Sequence, residues 1–502
     1  MQPAKNLFIV CIVSWFFMAC KSEYVFNQKY GPNNLKEDVV VLQKVVEANH
    51  PSLYWYTSKD SIDWAFKNTI NSITDSLTES QFKNKLATLV SNIRCGHTMV
   101  LFSKNFRKAV SKHIYPLFPL QIKTWEDSLV VLENLYANDS ILKPGTIITG
   151  INYRSNQQIL DSLFKNISTD GYSTNFKSQS ISFNFPGWYK TVFGTDSLYK
   201  IEYIDSVGKK ATTFVKAYYP PQKIESTDSN KTTTIRKHTI KKTNQLGEPS
   251  VKIDTALHTA WMSLNSFSAK KLRRVFRRSF KEIQKKNVQN LVIELRLNGG
   301  GKIDNYILLT KYLSDTAFKI ADTVAAKSRS LKNGKYIGMG NALFYKLLLR
   351  FSTKKAADNR YHDVGSEEHY YWPKSKYHFN GNIYIIQGGY TFSAATMFVS
   401  SLKGQKNVTV IGEETGGGNY GNSAMQIVKI KLPNSKLRVT LPLFRLVINH
   451  HRNKDGRGIM PDIEIPTTSY AIKHNIDLKA EKVKQLIKEK TKQQLPIAHS
   501  VQ

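Results

Sequence analysis

In the second half of the chain, short apolar runs with strand character alternate with segments of helical periodicity. The alternation places strands and helices in the order 290–297, 303–313, 381–387, 393–402 and 408–412. A helix between two strands returns the chain across a sheet, so consecutive strands become parallel neighbours. The pattern therefore predicts an α/β core over residues 251–470, and it argues against an all-helical or an all-β fold.

A turn between the strand at 381–387 and the helix after it places Ser393 in the first helical turn. Backbone N–H groups at a helix start have no intrahelical partner and the helix dipole is positive there, so an oxyanion beside Ser393 would be stabilised. The N–H of Ala394 is one candidate donor. The turn with Gly299 and Gly300 is a second, because glycine lets backbone amides approach a substrate without side-chain clash. A serine at a helix start is also a common N-cap, so its position alone does not establish catalysis.

Three segments of this region carry distinctive motifs, which are LVIELRLNGGG at 291–301, TFSAA at 391–395 and IGEETGG at 411–417. In this order and with this content, they resemble the core of the C-terminal processing peptidases, peptidase family S41. The resemblance implies a crotonase-like α/β peptidase core, Ser393 as the nucleophile, and a peptide or protein substrate. It also implies a helical region and a PDZ-like β-rich domain upstream, where LKPGTIITGIN at 142–152 is the matching segment.

The members of this family differ in their general base. Those of the Ser-Lys kind carry a lysine at the position of Gly418, where this chain has none. Tricorn-type members use a histidine that precedes the PDZ-like domain, and the sequence Gly96-His97-Thr98 resembles that position. The resemblance thus implies that His97 takes the Ser393 proton during attack and returns it to the leaving amine. The alternative is a structural histidine with hydrogen bonds of its own, and the missing lysine favours the base.

A third group is needed to orient the imidazole and to balance its charge. Tricorn-type members place a glutamate shortly before a Gly-Val-x-Pro-Asp-like segment. The matching residue in DGRGIMPDIE at 455–464 is Asp455, which has a shorter side chain. Asp462 and Glu464 remain alternatives for the acid.

The N-terminus has the pattern of a bacterial lipoprotein signal peptide. Lys5 precedes an apolar run at 7–18 that is too short for a mature membrane span, and FMAC at 17–20 resembles a lipobox in which Cys20 carries the lipid. An ordinary signal peptide with an incidental cysteine is the alternative. The pattern predicts an exported, membrane-anchored lipoprotein that faces the periplasm or the cell exterior.

Changes of composition along the chain indicate the domain limits. A polar segment rich in Thr, Ser, Lys and Asn separates the β-rich region from the α/β core, as a linker does. The predicted parts are a signal peptide at 1–19, a helical domain with the base at 20–105, a PDZ-like domain at 106–220, a linker or loop at 221–250, the peptidase core at 251–470 and a helical tail at 471–502.

The formal net charge of +34 is unusual, and residues 268–286 contain nine basic residues and one acidic residue. Apolar residues recur there at helical spacing, which predicts an amphipathic helix with a basic solvent-exposed face. The chain has no recognisable nucleic-acid-binding motif and is predicted to be exported. A solvated surface, or attraction to anionic lipid or polysaccharide, is therefore favoured over nucleic acid.

The predicted function is a serine endopeptidase that acts on envelope or extracellular proteins. No metal or cofactor is predicted, since there is no HExxH pattern, Cys95 has no CxxC partner, and His450 and His451 lack spaced ligands. Two alternatives stay open. One is a lipoprotein of the same fold that binds peptides or polymers without cleaving them, and the other is a polyanion-binding surface protein.

Overall fold

The computed structural model describes residues 24–220 and 249–494. The predicted signal peptide, Cys20 and nearly all of the predicted linker lie outside these residues, so those assignments stay predictions. The described strands form five sheets, and the protein has the α/β architecture that the sequence predicted.

The helices are α1 Pro32–Asn49, α2 Lys59–Asn71, α3 Glu79–Ser91, α4 Lys104–Val110, α5 Asn156–Phe164, α6 Asn175–Phe183, α7 Phe185–Phe193, α8 Leu272–Lys285, α9 Ile303–Lys311, α10 Met339–Ser352, α11 Val364–Glu368, α12 Ala394–Leu402, α13 Ser469–Lys473 and α14 Leu478–Gln494. The strands are β1 Lys29–Tyr30, β2 Leu77–Thr78, β3 Val100–Leu101, β4 Leu120–Trp125, β5 Ser128–Asn134, β6 Ile147–Ile151, β7 Arg154–Ser155, β8 Leu198–Ile204, β9 Lys210–Lys216, β10 Ser250–Asp254, β11 Thr259–Ser263, β12 Asn290–Glu294, β13 Thr323–Ala326, β14 Lys354–Lys355, β15 Tyr361–His362, β16 Asn382–Gln387, β17 Val408–Gly412, β18 Gly421–Ala424, β19 Val428–Lys431, β20 Arg438–Leu441, β21 Phe444–Val447 and β22 Ile463–Glu464.

The central sheet has the strand order β10-β11-β12-β16-β17-β22, and its neighbours from β11 onwards are parallel. Apolar residues cover both faces, as a parallel sheet requires. Leu291 and Ile293 of β12 face the main apolar cluster, to which α9 and α12 contribute, whereas Val292 faces a smaller cluster with Val483 of α14. The sheet thereby places the end of β16, and the turn that follows it, at one edge of the main core.

The N-terminal helices α1 to α3 share one apolar core with the α/β region. Leu42 and Phe82 belong to the same buried cluster as Phe398 of α12. The buried carboxylate of Asp38 accepts the Ser435 N–H at 2.8 Å, which holds α1 against the loop before β20. Strand β3 pairs with β20. The limit predicted at residue 105 therefore does not separate two cores, because the helical segment completes the core of the α/β region.

The region predicted as PDZ-like contains a separate sheet of β4, β5, β6, β7, β8 and β9, over an apolar cluster to which Phe392 also belongs. The sequence pattern indicated only short strands here and gave no sign of α6 and α7. Helix α6 lies against the edge strand β4, where the Thr124 N–H donates to Ser182 Oγ (2.8 Å) and the Thr124 hydroxyl donates to the Ser178 carbonyl (2.9 Å). A peptide that added as a strand at this edge would meet the helix at that point.

Helix α8 is the basic amphipathic helix predicted within residues 268–286. It buries Leu272, Phe276, Phe280 and Ile283 against the main cluster, and its arginines are exposed.

Among residues 24–220 and 249–494, no helix combines the length and the hydropathy of a membrane span.

Candidate active site

Ser393 lies at a strained turn between β16 and α12. Its backbone angles are φ +55° and ψ −124°, which L-residues rarely adopt, and such strain costs about 1–3 kcal/mol. Two hydrogen bonds hold the turn against the segment after β12, from Thr391 Oγ1 to the Leu295 carbonyl (2.9 Å) and from the Phe392 N–H to the Asn298 carbonyl (3.0 Å). A turn of this kind exposes a serine hydroxyl at the end of a sheet, as in the nucleophile elbow of α/β-hydrolases.

The hydroxyl of Ser393 does not act as a helix cap, because it makes no hydrogen bond to an N–H of α12. Its Oγ instead lies 3.0 Å from Nε2 of His97, although 296 positions separate the two residues in sequence. This distance is within hydrogen-bond reach, as a nucleophile and its general base require. The structure thus brings together the two side chains that the family resemblance paired.

Strand β20 holds His97 in place. Thr440 Oγ1 donates to the His97 carbonyl (2.7 Å) and accepts the Met99 N–H (2.8 Å), which fixes the chain on both sides of residue 98. The imidazole also packs on the ring of Phe392, with 4.9 Å between the ring centroids. His97 is therefore positioned by a strand of the α/β region and by the residue next to Ser393.

His97 is 8 % exposed, and burial lowers the pKa of its imidazole to about 4. The imidazole is thus neutral at pH 7, which is the state that a general base needs. If Nε2 of the neutral ring accepts a hydrogen bond from the Ser393 hydroxyl, the single ring proton is on Nδ1. In the described structure Nδ1 is buried and has no hydrogen-bond partner. The described residues therefore place an imidazole beside the Ser393 hydroxyl, with no carboxyl bonded to that imidazole.

No hydrogen bond joins His97 to any of the three predicted acids in the described structure. Asp455 is exposed, and its Oδ1 accepts the Arg457 N–H of its own loop at 2.9 Å. Asp462 is also exposed and accepts a backbone N–H of β17 at 2.8 Å, and Glu464 is exposed in β22. Asp455 in particular uses its carboxylate to close a surface loop, so the structure does not place it where the resemblance predicted.

A buried carboxyl that no motif indicated lies beside the base. Asp170 is 3 % exposed, and its Oδ1 accepts the N–H of Gly96, the residue before His97, at 2.8 Å. The amide of Gly418 also faces this carboxyl, and burial raises the pKa of Asp170 to about 7. Oδ2 has no partner among the described residues. In the sequence the only sign of this residue is the pair Asp170-Gly171, which is typical of a turn.

Three backbone N–H groups near Ser393 are candidate oxyanion donors, but one of them already has a hydrogen-bond partner. In the described structure the N–H groups of Ala394 and Gly299 make no hydrogen bond. The N–H of Gly300 donates to Asn298 Oδ1 at 2.9 Å, so Gly300 is not the free donor that the sequence predicted. Gly300 has a steric role instead, since at φ +100° a Cβ there would lie 2.7 Å from Ser393 Cβ.

A cavity of about 500 Å³ opens beside Ser393. Its walls are mainly apolar and include Phe176, Phe392, Met397, Met425 and Ile427. No carboxylate, lysine or arginine of the described chain lines it. The cavity therefore suits an apolar side chain held next to the nucleophile.

In the part of the chain that the structure describes, no three His, Cys, Asp or Glu side chains cluster as metal ligands would. Nε2 of His450 lies 2.9 Å from the Thr323 hydroxyl, and His451 is exposed. Cys95 is buried, which raises the pKa of its thiol to about 12. None of these side chains lines the cavity beside Ser393.

Residues 258–465 match the sequence model of peptidase family S41. No curated protein matches the chain at a significant level. Among solved structures, mature CPAF aligns with a TM-score of 0.63 over 91 % of this chain and 97 % of its own, at 12 % identity. Mature CPAF complexed with lactacystin aligns with a TM-score of 0.64 over 92 % and 98 %, at 13 % identity. At these identities, the two alignments establish a shared fold.

Proposed function

Because residues 258–465 belong to peptidase family S41, we propose that this protein is a serine endopeptidase that forms an acyl-enzyme at Ser393 with His97 as general base. One observation carries the proposal, which is the 3.0 Å contact between His97 Nε2 and Ser393 Oγ. The neutral state of the buried imidazole and the strained turn that exposes the hydroxyl support it.

In acylation, Ser393 Oγ attacks the carbonyl carbon of the scissile bond while its proton moves to Nε2 of His97. The carbonyl oxygen becomes an oxyanion, and the N–H groups of Ala394 and Gly299 stabilise it. One such donor contributes about 10²–10³ in rate. The C–N bond then breaks, and the imidazolium returns its proton to the leaving amine. Water repeats the sequence on the ester, which releases the acid and restores the serine.

The apolar cavity beside Ser393 supports a preference for an apolar residue on the acyl side of the cleaved bond. We expect peptides with Leu or Phe at that position to be cleaved at least about 10²-fold better in kcat/KM than peptides with Asp or Lys, because an unpaired charge is costly in an apolar site. A peptide series that varies only this residue measures the preference, and a series that varies a distant residue is the control. Equal rates across the first series would contradict the assignment of the cavity.

Covalent labelling tests the proposed nucleophile. The purified protein should react with a fluorophosphonate, and peptide mass spectrometry should locate the adduct on Ser393. Lactacystin, which is present in a solved complex of mature CPAF, is a second probe. Both reactions should be slower in the presence of a peptide substrate, because the substrate occupies the same site. A folded protein that takes up neither probe, or takes them up at another residue, would exclude this mechanism.

A peptide-binding protein of the same fold that does not cleave its ligand is the second candidate. The observation in its favour is the unpartnered Nδ1 of His97, since a triad without its acid is weakened. The labelling experiment separates the two functions, because a protein that only binds peptides forms no covalent adduct.

A further inference from the structure

Two buried polar atoms beside the proposed catalytic pair lack hydrogen-bond partners in the described structure, namely Nδ1 of His97 and Oδ2 of Asp170. The two atoms are complementary, because Nδ1–H donates and a carboxylate oxygen accepts. An unpaired buried polar group costs about 1–3 kcal/mol, so such atoms are rare. We propose that Asp170 is the positioning residue that orients His97 and balances its positive charge, a role that rests on the peptidase function proposed above.

The backbone already connects the two residues. The Gly96 N–H donates to Asp170 Oδ1 at 2.8 Å, and the Gly171 N–H donates to the Arg94 carbonyl at 3.1 Å. The loop that carries Asp170 is thus bonded at two points to the turn that carries His97. A change at the carboxylate is therefore transmitted to the position of the imidazole.

Asp170 has no positively charged neighbour that lowers its pKa in the described structure. The titratable groups that its charge reaches are Cys95 and Tyr56. Burial, and to a lesser extent this carboxyl, raises the pKa of both, so both are neutral at pH 7. A buried carboxylate without a cation is costly. Proton uptake by His97 during attack would supply that cation at the step where catalysis needs the charge balanced.

The substitution Asp170→Asn tests this role, because an amide oxygen can still accept the Gly96 N–H while the negative charge is lost. We expect kcat to fall by about 10²-fold or more, as when the triad acid of another serine peptidase is made neutral, with little change in KM. Asp455→Asn is the matched control, since Asp455 is exposed and is bonded within its own loop. This control should keep the wild-type kcat.

The pH profile separates positioning from mere structural support. Burial alone places the pKa of His97 at about 4, and a facing carboxylate raises the pKa of an imidazole. Because the proposed role needs the ionised carboxylate and burial raises the pKa of Asp170 to about 7, the acid limb of kcat/KM should lie between pH 4 and pH 7 in the wild type. It should move down towards about pH 4 in Asp170→Asn. A substitution that only loosens the fold lowers the rate without moving this limb.

The proposal would be overturned if Asp170→Asn kept both the wild-type kcat and the wild-type acid limb. It would also be overturned if kcat fell in Asp455→Asn and not in Asp170→Asn. If Asp170→Asn does not fold, the wild type decides the question. In its fluorophosphonate adduct the imidazole is protonated, and a strongly downfield proton resonance at Nδ1 of His97 is expected where a carboxylate accepts that bond. A labelled enzyme without this resonance overturns the role of Asp170 alone, whereas a wild type that is not labelled overturns the peptidase function itself.

Discussion

The variant Ser393→Ala is expected to lower kcat by about 10⁵-fold, because no acyl-enzyme can form without the hydroxyl. The activity that remains would come from the oxyanion donors acting on an attacking water molecule. KM and thermal stability should stay near those of the wild type, since the lost hydroxyl makes a single hydrogen bond, to His97. Initial rates on an apolar peptide, with fluorophosphonate uptake measured on the same preparation, check both parts of the expectation.

Ser393→Gly is the matched control, because it separates the chemistry of the side chain from the strain of the backbone. Both variants lack the hydroxyl, but glycine adopts φ +55° without steric cost. Relief of the backbone strain favours Ser393→Gly, and the larger conformational entropy of glycine in the unfolded chain offsets part of this gain. We therefore expect the free energy of unfolding to be about 1 kcal/mol higher in Ser393→Gly than in Ser393→Ala. Wild-type turnover in either variant would show that another residue is the nucleophile.

The second large effect is expected from His97→Gln, which should lower kcat by about 10⁴-fold or more. Glutamine has a size similar to histidine, but its amide cannot take up a proton at neutral pH. The rate of fluorophosphonate labelling should fall in parallel, since labelling needs the same activated hydroxyl. A stopped-time labelling assay on the wild type and the variant measures this rate directly.

His451→Gln is the control for the histidine substitution, because His451 is exposed and lines no part of the cavity beside Ser393. It should keep the wild-type kcat and labelling rate. A loss of less than about tenfold in His97→Gln would indicate that a different group accepts the serine proton.

Ser393 and His97 could be identified from the sequence because short motifs surround each of them. Their contact could not be derived from spacing or periodicity. It depends on the pairing of β3 with β20, and a sequence pattern that predicts a strand does not specify which strand it pairs with. The α/β core was predictable because its strands are apolar runs and its helices are long enough to show helical periodicity.

Three features of the site could not be predicted because they depend on side-chain directions. Asp170 lies in an irregular loop, and only tertiary packing shows that its carboxyl meets the Gly96 N–H. The sequence places Gly300 in a turn that suits an oxyanion donor, but it does not show that Asn298 Oδ1 accepts the Gly300 N–H. The resemblance assigns Asp455 by its place before a motif, which does not specify where its carboxylate points.

The base and the nucleophile come from distant parts of the chain and meet on one shared apolar core. Under the proposed mechanism, a polypeptide that is still being synthesised carries the histidine long before it carries the serine, so it cannot yet cleave a peptide bond. Loss of the pairing between β3 and β20 would likewise separate the imidazole from the hydroxyl. Completion of the fold is then the event that switches on the proposed activity.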